Sequence, residues 1–296
     1  MNNNTPLRNP RRRKHRHSRV RALPLLATIA LLASGCTSFV YKTAYNQADF
    51  LVMRELNRYF SLSSTQRQFL EPRVDALHAW HRRAELPRYV SMLGDFRAAA
   101  ADGVTAAEVQ RMFAQSRSVR DVILRKIYSD TIAFLQQLDA AQLPHIREQF
   151  AESNAELAEK LKGPATERAD NFVEFMDDWT GGLSAKQEQQ IRSWMQAVPN
   201  SEPDRLRFRQ ERQAEFLESL PASGGTPERL AQTMRPWFFQ PDQSRPAYYR
   251  RSLSAWRSSF TQLLVRTDAM LTAEQRSNFL RRLDQLIVDL HDLSRR

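Results

Sequence analysis

The chain has 296 residues and a formal net charge of +11, the balance of a nucleic-acid binder. Eight of its basic side chains and none of its acidic ones fall in residues 1–35, which leaves +3 for residues 36–296. A nucleic-acid footprint should persist as a basic face on the folded part, so no nucleic-acid partner is expected.

Taken in order, the chain starts with a basic block at residues 8–21 and an apolar run at 22–33. That run is shorter than the ~20 apolar residues that span a bilayer, and its flanks are those of a secretory signal. It closes in Leu31-Leu32-Ala33-Ser34-Gly35-Cys36, which contains the only cysteine. This stretch resembles the bacterial lipobox, except that Ala33 stands where Leu is usual. The resemblance implies cleavage between Gly35 and Cys36, with a diacylglycerol thioether and an N-acyl chain of the palmitate class on Cys36. Several acyl chains anchor stably where one is marginal. Lipoproteins kept in the inner membrane are similar in having Asp after the lipidated cysteine, so Thr37 points to the outer membrane and its periplasmic face. A single cysteine permits no intramolecular disulfide.

Only eight glycines in the whole chain, and apolar residues recurring at three and four beyond the signal, predict an all-α protein. The expected architecture is an irregular array of about ten helices, in one body or in two lobes. Residues 36–45 read as a lipid-anchored tether and 46–296 as the helical domain. Helices are expected at 47–60, 64–83 (bent near Pro72), 87–101, 106–137, 141–161 and 165–179. Others follow at 184–197, 203–219, 227–238, 246–268 and 272–293. Breaks are expected at Leu86-Pro87, Asp102-Gly103, Gly163-Pro164, Gly181-Gly182, Ser223-Gly224-Gly225 and Gln240-Pro241. A seam between lobes would fall near 163–182.

Many of the helix starts share one pattern, Leu-[Ser/Thr/Asp]-x-x-Gln, at Leu62–Gln66, Leu138–Gln142, Leu183–Gln187 and Leu271–Gln275. Ser, Thr or Asp caps the helix, Gln reaches back to the cap's own N–H, and the Leu staples the entry. Each cap stabilises by ~1 kcal/mol. Thr105 with Glu108 is a fifth box, and Thr226-Pro227 and Glu202-Pro203 are further starts. The intervals between the Gln boxes are unequal, which argues against a regular solenoid.

The densest polar cluster is residues 80–89. On a helix His78, His81 and Glu85 share one face, a two-histidine, one-carboxylate set that could hold a metal. No His-Glu-x-x-His is present and the primary expectation is no metal. In the plainer reading Trp80 packs inside, Arg82 or Arg83 pairs with Glu85, and Leu86-Pro87 turns a corner between helices. If the segment binds a partner, Trp80, Arg82, Arg83 and Tyr89 are its contact residues. Adjacent Asp177 and Asp178 diverge on a helix and make no acid–base pair. No Gly-x-Ser-x-Gly and no phosphate-cradling glycine loop occurs, so no catalytic residue is assigned. Arg205, Arg207 and Arg209 are interleaved with acids, as on an ion-paired face, with anionic headgroups as the sharper alternative. Trp237-Phe238-Phe239 with Tyr248-Tyr249 is read as core, with an exposed patch as the alternative.

Tyr45-Asn46-Gln47-Ala48-Asp49, Tyr59-Phe60-Ser61-Leu62 with Gln66, and Trp80-His81-Arg82-Arg83-Ala84-Glu85-Leu86-Pro87-Arg88-Tyr89 follow one another after Cys36. That order resembles an uncharacterised family of proteobacterial lipoproteins, defined only as a domain of unknown function. The resemblance runs on loosely through Asn154-Ala155-Glu156 and Trp179-Thr180-Gly181. It implies a helical outer-membrane lipoprotein and transfers no functional residue. The Gln boxes are also similar to those of small periplasmic chaperones of the Spy and CpxP type, which cradle unfolded clients. The expected function is a non-enzymatic role in envelope maintenance through a periplasmic or outer-membrane protein partner. A chaperone-like client holder and an envelope-remodelling hydrolase are the alternatives.

Overall fold

The computed structural model describes residues 38–164 and 166–295. Gly35, Cys36 and the expected signal lie outside them. The described residues are mostly helical and contain no strand. In chain order the helices are α1 (Ser38–Asn46), α2 (Ala48–Phe60), α3 (Ser64–Trp80), α4 (Leu86–Ala100), α5 (Ala106–Leu135) and α6 (Leu143–Leu161). They continue as α7 (Glu167–Thr180), α8 (Ala185–Gln196), α9 (Glu202–Ser219), α10 (Pro227–Phe239), α11 (Ala247–Ala269) and α12 (Ala273–Ser294).

The helix starts follow the local chemistry. All five capping boxes form with both reciprocal bonds, at Ser63, Thr105, Asp139, Ser184 and Thr272. Thr226 also caps, accepting from Arg229 N–H at 3.1 Å ahead of Pro227. The α7–α8 corner needs two residues at positive φ, and Gly181 (78°) and Gly182 (121°) supply them.

Three apolar clusters hold the helices. The first joins α3, α5, α6, α9 and α10 through Leu70, Phe134, Ile146, Phe216, Leu230 and Phe238. The second joins α7, α8 and α11 through Phe172, Val173, Ile191, Met195 and Leu263. The third joins Tyr45 of α1, Leu86 of α4 and Leu290 and Leu293 of α12. On α12, Leu283, Leu290 and Leu293, at helical spacing, are buried. The most extensive neighbour of α12 is α4, where Arg97 forks onto Asp284 at 2.8 and 3.0 Å.

Three expectations are corrected. Residues 38–45 of the expected 36–45 tether are helical and belong to α1, because Tyr41 and Tyr45 lie one turn apart and pack into the third cluster. Leu86-Pro87 makes no break. Pro87 lacks an N–H and its ring would collide with the carbonyl four residues back. The chain widens instead into a π-turn at His81–Glu85, with Leu86 N–H donating to His81 C=O, and α3 runs on into α4. Finally, α12 packs on α4 and α7 while α11 packs on α5, α8 and α9. Helices after residues 163–182 thus close back onto helices before them.

Candidate functional site

The π-turn is the irregular point of the fold, and such turns are frequent at functional sites. Its extra residue re-aims the side chains of residues 80–89. His81 is drawn between two tyrosines: Tyr45 Oη lies 2.8 Å from Nδ1 and Tyr89 Oη 3.1 Å from Nε2. A neutral imidazole offers one donor and one acceptor, so one hydroxyl donates to the ring and the other accepts from it. Burial, with His78 beside it, pushes the His81 pKa down to about 4. Burial also raises the Tyr45 and Tyr89 hydroxyls, and takes Tyr41 up to about 12 with the help of Asp289. Burial and then Arg82 lower His78.

Arg82 does not reach Glu85. It donates to Leu293 C=O at the end of α12 and to Asn46 Oδ1 at the end of α1, both at 3.0 Å. Glu85 is 2% exposed and takes Arg88 on both oxygens at 3.0 Å. The expected Arg82 or Arg83 pairing is thus replaced by a partner three residues on. Lys42 completes the junction, bonding Asp289 and Asp292 at 2.8 Å each. Trp80 turns toward α5, with Lys126 5.6 Å from its ring centre, and Arg83 is exposed. Of the expected contact residues, Arg82 and Tyr89 join the cluster and Trp80 borders it, while Arg83 stands apart. Sequence reading missed Tyr41, Lys42 and Tyr45, whose signal was a pair of tyrosines one turn apart.

The metal set His78, His81 and Glu85 does not assemble. Both His81 nitrogens meet hydroxyls, Glu85 is held by Arg88, and among the described residues no three His, Cys, Asp or Glu converge on a cation position. A base with a pKa of about 4 is a poor proton acceptor at neutral pH. The cluster is instead a clamp that fastens α1 to α4 and α12.

A second arrangement was only half visible in the sequence. The four Gln boxes meet in pairs, corner to corner. Gln66 Nε2 donates to Gln142 Oε1 at 2.9 Å, and Gln142 Nε2 returns a bond to Gln66 Oε1 at 3.0 Å. Gln187 and Gln275 repeat the exchange at 2.8 and 3.0 Å. Each amide also donates to a carbonyl of the facing corner: Gln137, Phe60, Met270 and Gly182 respectively. Each Oε1 keeps its own cap N–H as well. The hydrogen-bonding capacity of each amide is filled. The unpaired fifth box carries Glu108 instead, where no second donor is needed.

The remaining sequence candidates resolve simply. Arg205 pairs with Glu202 and Arg207 with Glu211, at 2.8 and 2.9 Å, and Arg209 donates to Ser153 Oγ at 2.7 Å. Phe238 and Tyr249 are buried and Trp237 packs against the first cluster beneath Arg212, while Phe239 is 38% exposed. Asp177 accepts from Leu183 N–H at 2.6 Å and closes the α7–α8 corner. An open groove of about 260 Å³ between α4 and α5 is lined by Arg88, Ser91, Met92, Gln115 and Ser118. That lining offers no base to either serine. No helix among the described residues is long and apolar enough to cross a membrane.

Residues 58–250 match the profile of a family of unknown function. The chain belongs to DUF6279. The DUF6279 segment starts in α2 and ends in α11, and so contains the π-turn, Tyr89 and the first glutamine pair. It leaves out residues 45–49 and α12, which supply Tyr45, Leu293 and Gln275. No curated protein and no solved structure matches the chain.

Proposed function

We propose that this member of DUF6279 is an outer-membrane lipoprotein on the periplasmic face, and that it serves envelope maintenance as a non-enzymatic protein-binding body. The observation that carries this reading is the clamp on α1. Cys36 stands two residues before Ser38, where α1 begins. A helix so close to the acylated residue would transmit the position of the lipid directly to the body. Lys42, Tyr45 and Arg82 tie that helix to α12 and α4. A body meant to roam on a flexible leash gains nothing from such a clamp, whereas one that meets partners at a fixed height does.

The glutamine boxes do not favour the client-holding alternative, because their amides are used up in the corner locks. Crosslinking in cells followed by pull-down, comparing wild type with Cys36→Ala, tests the proposal. It predicts a discrete partner set and outer-membrane fractionation, both lost in the variant. A partner set unchanged by Cys36→Ala would sink it.

A further inference from the structure

Three arginines converge on one aspartate where the link between α10 and α11 meets α5. Arg120 forks onto Asp242 at 2.9 and 3.1 Å, Arg245 bonds the same carboxylate, and Arg117 Nε lies 3.9 Å from it. Arg257 follows Trp256 on α11, whose ring centre lies 6.0 Å from that of Phe113, one turn before Arg117 on α5. Its pKa is lowered first by burial and then by Arg117, Arg245 and Arg120, with Asp242 opposing. Asp121, which takes a second bond from Arg120 at 2.7 Å, is the other acid of the group. Four guanidinium groups therefore face two carboxylates, an excess of two positive charges.

The excess is concentrated on two side chains. Among the described residues, neither the Arg117 nor the Arg257 guanidinium has a hydrogen-bond acceptor, whereas Arg120 and Arg245 are fixed by Asp242. Gathering like charges costs energy, so a fold keeps them together when something supplies the missing negative charge. Arginine forks match the paired oxygens of a phosphoryl group, and a phosphate monoester carries about −1.5 to −2 at neutral pH. That charge balances the excess.

We propose that Arg117 and Arg257, with Arg120 and Arg245 positioned by Asp242, form a binding site for a phosphate monoester. Asp242 is the strut: it holds two forks in place and leaves two open to the ligand. The ligand's source is either a lipid headgroup or a soluble phosphate. The inference does not depend on the lipid anchor or on any protein partner.

The test compares wild type with Arg117→Gln/Arg257→Gln, which spares the Arg120–Asp242–Arg245 contacts. Both chains carry the same N-terminus, so any binding or anchoring there cancels. Thermal midpoints are measured in inorganic phosphate against chloride of equal ionic strength. Co-sedimentation is measured with phosphatidylcholine vesicles with and without phosphatidic acid. The proposal predicts that one probe or both bind wild type, with affinity falling about tenfold for each fork removed. Binding of phosphate, competing with the vesicles, identifies a soluble ligand. Binding of phosphatidic acid vesicles alone identifies a headgroup. Arg257→Lys, which keeps the charge but not the fork, should weaken binding with the helical signal intact, and serves if the double variant misfolds. Equal binding by wild type and the fork variants, or no response to either probe, overturns the site.

Discussion

Replacing Gln66 by Glu tests the corner lock with almost no change of shape. Gln66 is 3% exposed and makes four bonds: it accepts from Ser63 N–H and Gln142 Nε2, and donates to Gln137 C=O and Gln142 Oε1. A carboxylate keeps the two accepting roles and loses both donations. It then sets a charged oxygen against two acceptors in a buried corner. Each buried polar group left unsatisfied costs about 1–3 kcal/mol, so Gln66→Glu should cost about 2–5 kcal/mol at pH 7. The cost should also depend on pH. The two acceptors raise the folded-state pKa of the introduced carboxyl above its unfolded value of about 4.3. Such a group contributes stability when protonated, below the unfolded pKa, and loses it as pH rises through the folded pKa. Relative to wild type, Gln66→Glu should therefore recover on acidification, because the protonated acid donates one bond again. Urea unfolding at pH 7 and pH 4.5 reads both effects, with Glu108→Gln in the unpaired box as a control expected within about 0.5 kcal/mol of wild type. A cost for Gln66→Glu no larger than the control's, flat with pH, would refute the lock as a source of stability. A double-mutant cycle of Gln66→Ala with Gln142→Ala should show coupling of about 0.5–3 kcal/mol rather than additivity.

Other expectations follow from the same geometry. The His81 pKa is depressed to about 4 by burial, below an ordinary value near 6.5. The unfolded chain binds the proton first, so stability should fall between about pH 6.5 and pH 4, by at most about 3 kcal/mol. His81→Gln, measured by thermal melts across that window, should flatten the slope; an unchanged slope would place the acid sensitivity elsewhere. Gly181→Ala should cost about 1–3 kcal/mol, because φ is 78° there and the added carbon would meet the Asn278 side chain. Gly182 has open space around its missing carbon, so any cost of Gly182→Ala comes from the backbone alone, at a φ of 121°. Arg82→Lys removes the fork that spans Leu293 and Asn46. Amide exchange in α1 should accelerate while the first two apolar clusters stay protected, and uniform acceleration would argue that α1 is no separate clamp.

How far the sequence could be read depended on how far each signal travels along the chain. Capping boxes and Gly corners are decided within five residues, and the helix starts expected at residues 64, 106 and 184 fall at Ser64, Ala106 and Ala185. The π-turn was hidden because Pro87 reads locally as a stop, and only the helices packed around it keep the chain coiled. The glutamine pairing was hidden because its partners lie 76 and 88 residues apart. One trace of it was present: the facing boxes carry Gln, which both donates and accepts, and the solitary box carries Glu108. The π-turn cluster was half legible, since His81, Arg82 and Tyr89 stood in one segment but Tyr45 and Leu293 came from the two ends of the described chain. The arginine cluster gave no sequence signal, its members being drawn from α5, α11 and the link before α11.

The proposed membrane placement depends on acylation of Cys36. Mass spectrometry of the N-terminal peptide of the protein recovered from envelope membranes addresses it directly. The predicted result is a chain beginning at Cys36 that carries the mass of a diacylglyceryl group and an N-acyl chain. An unmodified Cys36, or a chain that retains residues 1–35, would contradict the account.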